Sequence, residues 1–270
     1  MNNSSNFVEL KKDGKIWAIG SIHSNLKSFI SIKKYILKNF NSEDKLIFLG
    51  NVIGLGDNSK ETLTSVINLR FNLMSKFNLK PESIIFLRGA QEEMFSKLLQ
   101  LQLAPNPTEI VEWMFDHGVN KTIESYGFSK DDAKNIASSG TIKISKWTKN
   151  LNKAVQSNPG HTEYFLNLKH AAYSHTKKIL FVNRGVDITR PLSAQNDCFW
   201  WGFQNFSKLQ EPYKTFSRIV RGYESEHLNK SEILNQKVVC TLFKQPLSNK
   251  NILCGIFGEN GEILELFENN

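Results

Sequence analysis

The chain has 270 residues, a formal net charge of +8 and a pI near 9.2. That length supports one large α/β domain with a substantial core, and no apolar run approaches the length needed to span a bilayer. The opening stretch MNNSSNFVELKKDG has no apolar segment and is expected to be neither a signal peptide nor an anchor; the cation excess admits acidic partners, but the lysines are scattered and nucleic-acid binding is not expected.

Taken in order, the apolar run in KIWAIGSIHSN (15–25) reads as a buried strand ending in glycine. Leu26 to Phe40 then places Leu26, Phe29, Ile30, Ile32, Tyr35, Ile36, Leu37 and Phe40 mainly on one helical face, with Ser24 or Asn25 able to cap the helix. The stretch KLIFLGNVIGLGDNS (45–59) organises the rest: a short strand, then Gly50, Gly54 and Gly56 in a loop that can take positive φ and approach a ligand closely. Glu61 to Leu79 predicts a second helix, SIIFLRGAQEE (83–93) a third strand, and Gln91 to Leu103 a helix stopped by the prolines of Ala104 to Pro107.

Residues from about 108 to 170 are the least strand-like part of the chain. Their apolar face Ile110, Val111, Trp113, Met114 and Phe115, followed by the polar run SKDDAKN (129–135), predicts a helical insertion over the crevice. From Lys178 onward KILFVNRGVD, RIVRGY (218–223), KVVCTLF (237–243), NILCGIFG (251–258) and GEILELF (261–267) predict the strands of a second, mixed sheet, the last two joined as a hairpin by Gly258 to Gly261. Five of the strands along the chain are closely followed by glycine, so their loops should converge on one composite crevice. Cys198, Cys240 and Cys254 form neither a zinc pattern nor a disulfide framework, which fits buried thiols in a reducing cytoplasm.

The ordered series Gly20-Ser21-Ile22-His23-Ser24, Gly50-Asn51-Val52-Ile53-Gly54-Leu55-Gly56, Arg88-Gly89-Ala90-Gln91-Glu92, Phe181-Val182-Asn183-Arg184-Gly185 and Arg221-Gly222-Tyr223 resembles the five sequence blocks of the calcineurin-like metallophosphoesterases, specifically the phosphoprotein phosphatase branch with the bacterial diadenosine tetraphosphatases. WMFDHGVNKTIESYG (113–127) and QNDCFWWGFQNF (195–206) resemble non-catalytic segments of the same family, so the resemblance covers nearly the whole chain as a single domain, 1–270. It implies a four-layer αββα sandwich with two central mixed sheets, and a family chemistry in which two divalent metals such as Mn, Fe or Zn activate the water that attacks phosphorus.

By the same resemblance, Ser21 and Asn51 stand where the family has metal-binding aspartates, Ala90 where it has an asparagine ligand, and Gln91 where it has the general-acid histidine. Asn183 and Tyr223 replace two histidine ligands, Leu55 replaces a phosphate-contacting arginine, and His23 alone is retained. Hard dications need anionic oxygens to offset the loss of their hydration shells. Without the metals no water of near-neutral pKa forms, so the expectation is a kept fold, no cofactor and a discarded reaction.

Arginine is scarce, six in the chain, yet Arg88, Arg184 and Arg221 stand at strand ends. They could form a metal-free phosphate or nucleotide site helped by the helix amino end after Ser24; alternatively Arg88 and Arg221 pair with Glu92, Glu224 or Glu226 as structural salt bridges. His23 reads as structural, His117 and His227 as surface groups, and His161, His170 and His175 near Glu163 lack ligand spacing. Trp200 and Trp201 with Phe199, Phe203 and Phe206 read as core, and no GxSxG elbow or cysteine–histidine arrangement is present. The functional expectation is a cytoplasmic pseudophosphatase that binds a phosphorylated small molecule or protein without hydrolysing it. The alternatives are a phosphoesterase with weak or altered activity and a pure interaction module with a filled crevice.

Overall fold

The computed structural model describes residues 6–202, 206, 209–223, 230–243 and 252–268; Phe203, Glu224, Glu226, His227 and Asn251 lie outside the described residues. The strands, in chain order, are β1 (Phe7–Glu9), β2 (Ile16–Ile19), β3 (Lys45–Phe48), β4 (Ile84–Phe86), β5 (Ala171–Tyr173), β6 (Ile179–Val182), β7 (Arg218–Arg221), β8 (Val239–Thr241), β9 (Leu253–Phe257) and β10 (Ile263–Glu268). They form two five-stranded sheets, ordered β10-β9-β2-β3-β4 and β1-β5-β6-β7-β8. Both sheets are mixed: β2, β3 and β4 run parallel, as do β6, β7 and β8, while β9 and β5 run antiparallel to their neighbours β2 and β6.

Strand alternation sorts the side chains into layers. Ala18, Ile47 and Ile85 of the first sheet meet Phe181, Val220 and Cys240 of the second in the core between the sheets. Trp17, Ile19, Leu46 and Phe48 face the other way, onto α1 (Leu26–Asn39), α2 (Ser59–Phe77) and α3 (Ala90–Leu98). In α1 the buried positions Phe29, Ile32 and Ile36 recur at helical spacing, and the Asn25 side chain accepts the Ser28 N–H at 3.2 Å to cap the first turn. On the outer face of the second sheet, Leu180, Val182, Ile219 and Val239 pack against Phe199, Trp200 and Phe206. The result is the expected αββα sandwich, with a thin outer layer among the described residues.

The closing hairpin corrects one expectation. β9 pairs antiparallel with β2, Ile16 opposite Phe257 and Ile19 opposite Cys254, so β9 and β10 belong to the first sheet and not the second. The run LCGIF is buried throughout, which marks a central strand but carries no local sign of its neighbour. Conversely β1, hidden among polar residues, docks parallel to β5 and completes the second sheet.

The region expected as an insertion is helical: α4 (Pro107–Asp116), α5 (Val119–Ser125), α6 (Lys130–Ala137), α7 (Thr141–Gln156) and α8 (His161–Leu166). Pro107 opens α4, where its missing N–H costs nothing. The helices are fastened to α2 by polar contacts: the Ser59 and Thr122 hydroxyls lie 3.2 Å apart, and His161 shares hydrogen bonds with Tyr126 (2.6 Å) and Thr64 (3.0 Å). Among the described residues no helix is long and apolar enough to cross a membrane.

Candidate functional site

Loops from both sheets meet at the carboxyl ends of the parallel strands. Ser21 N–H donates to the Gly222 carbonyl at 2.9 Å, and the N–H groups of Ile22 and His23 share the Asn51 carbonyl at 3.0 and 2.8 Å. The Asn183 carbonyl accepts from Gly222 and Tyr223 at 2.9 and 3.0 Å, and its side chain donates to the Leu49 carbonyl at 2.6 Å. Four non-glycine residues here, His23, Ser24, Asn51 and Leu55, have φ between 48° and 61°. That region costs an L-residue roughly 1–2 kcal/mol, so the loops are held by the contacts around them.

The carboxylate of Glu92, fully buried near the start of α3, supplies much of that hold. Its Oε2 accepts the N–H groups of Asn51 (2.8 Å) and Gly89 (3.0 Å), and its Oε1 accepts that of Val52 (2.8 Å) and the Tyr164 hydroxyl (3.2 Å), with Ile53 N–H more distant at 3.4 Å. Burial pushes its pKa up, and the backbone donors act against that. Gly89 is required beside it, because a Cβ there would sit 2.4 Å from both the amide nitrogen and Oδ1 of Asn51.

The structure brings Ser21, His23, Asn51, Gln91, Asn183 and Tyr223 together. Asn51 Nδ2 donates to Ser21 Oγ at 3.2 Å, its Oδ1 accepts the Gln91 N–H at 3.1 Å, and Gln91 Nε2 donates to the His117 carbonyl at 2.8 Å. Half-buried Ala90 adds only a methyl group at the head of α3. His23 is buried, with the Tyr223 and Phe243 rings edge-on at 5.5 and 6.0 Å and no partner for either ring nitrogen among the described residues. Burial holds its pKa down to about 3, so the imidazole is neutral at neutral pH. Apart from the Glu92 carboxylate behind the loops, the side chains gathered here carry no charge.

The chain aligns over nearly its whole length with solved structures of phosphate-ester hydrolases. A candidate diadenosine tetraphosphatase matches 98% of this chain and 98% of its own, at 13% identity and a TM-score of 0.55. The cold-active protein-tyrosine phosphatase of a psychrophilic Shewanella species matches 96% of this chain and 82% of its own, at 10% identity and a TM-score of 0.52. The fold is that of the calcineurin-like metallophosphoesterases. No family sequence model and no curated protein sequence matches the chain.

The calcineurin-like fold implies two divalent cations at this junction, and the donors present do not fit them. Asn51 spends both ends of its amide on Ser21 and Gln91, and the Glu92 carboxylate is turned to backbone N–H groups. No group of three or more His, Cys, Asp or Glu side chains suited to a metal occurs among the described residues. Neutral amides and a hydroxyl cannot offset the dehydration of paired dications. Nor do His161, His170 and His175 assemble: His161 binds Tyr126 and Thr64, His170 lies among Phe7, Phe199 and Trp200, and His175 reaches Glu9 at 3.0 Å.

The three arginines at the strand ends have separate surroundings. Arg88 pairs with Glu93 at 2.5 Å, not Glu92, and lies over the Trp200 ring at 5.8 Å. Arg221 is buried on the outer face of the second sheet, where its Nε donates to Thr241 at 2.8 Å and its guanidinium covers Phe206 at 5.5 Å. Arg184 is half-buried; its backbone N–H donates to the Phe199 carbonyl at 2.8 Å, while its guanidinium lies 5.4 Å from the Tyr223 ring centre and has no hydrogen-bond or ion-pair partner among the described residues. Its stem runs past Gly202, where a Cβ would lie 3.1 Å from Cγ, Cδ and Nε of Arg184. Sequence reasoning missed Gly202 and Tyr164, which carry no local signal. Glu92 had one: it stands three residues after Gly89, the spacing at which a glutamate reaches back to a helix N-cap N–H.

Proposed function

We propose that this chain is a pseudophosphatase, a protein of phosphatase fold that holds a phosphorylated small molecule or protein at Arg184 without hydrolysing it. The observation that carries this reading is the contrast between the uncharged, hydrogen-bonded cluster of Ser21, Asn51 and Gln91 and the nearby Arg184 guanidinium, which has no anionic partner among the described residues. A guanidinium suits a phosphate oxygen pair but supplies no nucleophile. The three free thiols fit residence in a reducing cytoplasm.

Metal analysis of purified protein, combined with a p-nitrophenyl phosphate assay, tests the reading. The expected outcome is less than one Mn, Fe or Zn per chain and no turnover; stoichiometric metal with turnover overturns it. Titration calorimetry with inorganic phosphate, ATP and diadenosine polyphosphates should show binding at millimolar ligand or better. Gly202 has φ of +82°, so Gly202→Ala adds backbone strain as well as crowding the Arg184 stem. It is expected to weaken phosphate binding roughly tenfold, approaching the loss in Arg184→Gln, since a charge-assisted contact contributes about 1.5–3 kcal/mol.

The near-complete burial of Ser21, Asn51 and Asn183 favours a second reading, an interaction module whose crevice its own side chains fill. Failure of every phosphorylated ligand to bind selects that one.

A further inference from the structure

The helical insertion carries a face that the strand-end site does not use. Between Asp132 and Glu163 the chain holds Lys134, Lys143, Lys146, Lys149 and Lys153 and no carboxylate. Four of these lysines belong to α7, at spacings of three, three and four residues, which at about 3.6 residues per turn puts them within about 120° of arc. The opposite face, Ile144, Trp147, Leu151 and Val155, is buried in the core of the insertion, so the lysines point outward and all four are exposed. By helical rise the row is about 15 Å long. Ile142 heads it: it stands seven and eleven residues before Lys149 and Lys153, about 20° from each around the axis, and is 88% exposed.

None of the four ammonium groups has an ion pair or hydrogen bond among the described residues. A helix face kept only for solubility interleaves both signs of charge, because lysines three or four apart repel and weaken the helix. A row of one sign is complementary to a negative surface instead. We infer that α7 docks this protein on an anionic lipid surface, with the lysines at the headgroup phosphates and Ile142 entering the interface. The bare isoleucine favours lipid over nucleic acid: it gains by leaving water at the acyl boundary, whereas the outer face of α7 offers a base neither arginine nor an aromatic ring. Lysine stems suit the same boundary, since their methylene groups lie along apolar surface while the charged heads stay in water. In the sequence these lysines look scattered; the helix gathers them. Such docking is peripheral and involves no membrane-spanning helix. It is independent of the ligand at Arg184.

Co-sedimentation of the intact chain with vesicles of phosphatidylcholine, alone and with about a third phosphatidylserine, tests the inference. Binding is expected only to the anionic vesicles. It should disappear as salt rises from about 0.1 M to about 1 M, where the Debye length falls from about 10 Å to about 3 Å. Each lysine near a charged bilayer contributes roughly fivefold, so Lys146→Gln combined with Lys149→Gln should weaken binding about thirtyfold. Ile142→Ser should weaken it severalfold without changing the salt dependence. Melting curves show whether the variants are folded; if the first pair is not, Lys143→Gln combined with Lys153→Gln repeats the measurement. No binding to anionic vesicles, or binding that both pairs of substitutions leave intact, overturns the inference. Parental affinity in Ile142→Ser removes the apolar part of the contact and with it the case for lipid. Binding of a DNA duplex that is tighter than vesicle binding and depends on the same lysines also overturns it, and assigns the face to nucleic acid.

Discussion

Glu92→Ala is expected to destabilise the protein by about 4 kcal/mol or more, enough to unfold a marginal domain. The carboxylate is fully buried and accepts hydrogen bonds from Asn51, Val52 and Gly89 and from the Tyr164 hydroxyl. Alanine leaves all of these donors without a partner in a space closed to bulk water, and each orphaned donor costs roughly 1–3 kcal/mol. The same loss releases two loops at once, because Asn51 and Val52 follow β3 while Gly89 follows β4. Glu92→Gln should lose less: one oxygen still accepts, while the new NH2 group faces N–H donors. Urea denaturation followed by tryptophan fluorescence gives the ranking. An alanine variant within about 1 kcal/mol of the parent would mean that the loops are held some other way.

The sandwich was legible because its strands and helices announce themselves locally. Runs such as Leu46 to Leu49 and Ile179 to Val182 are short, apolar and closed by loop residues, and the α1 face repeats at Phe29, Ile32 and Ile36. What was not legible depends on distant partners. β9 looks like any buried strand, and only its register against β2, more than two hundred residues earlier, assigns it to the first sheet. The end of α3 shows a smaller version of the problem: the helix stops at Leu98 and a separate 3-10 turn covers Leu101 to Leu103, where apolar spacing alone reads one continuous helix.

At the site, glycine after strand correctly marked where the loops converge, since that depends on chain topology. Side-chain partners depend on angle. Glu92 and Glu93 are adjacent but point about 100° apart around α3, so one turns back to Gly89 and the other meets Arg88. Arg221 follows Val220, which fills the core between the sheets, and strand alternation therefore sends its guanidinium to the opposite face beside Phe206. The alternation was readable from RIVRGY; which face met which layer was not.

Mild acid should weaken the fold, with His23 carrying a measurable share. Burial holds its folded pKa at about 3, against 6.5 for the exposed side chain, and His161 is likewise held at about 4. The unfolded chain therefore binds these protons first. The stability that depends on neutral imidazoles is present above the unfolded pKa of 6.5 and is lost as pH falls toward the folded values. At about pH 5 each histidine has crossed roughly 1.5 pH units of that window, worth up to about 2 kcal/mol apiece. His23→Phe keeps an aromatic edge for Tyr223 and Phe243 but has no proton to take up. Its stability should fall less between about pH 7 and pH 5 than that of the parent, by about 1–2 kcal/mol in urea midpoints converted with a common slope. Identical pH slopes for the two proteins would show that the imidazole reaches water despite its place beneath Tyr223. In that case an uncharged junction would exist only near neutrality, and the electrostatic contrast with Arg184 would shrink as the pH fell.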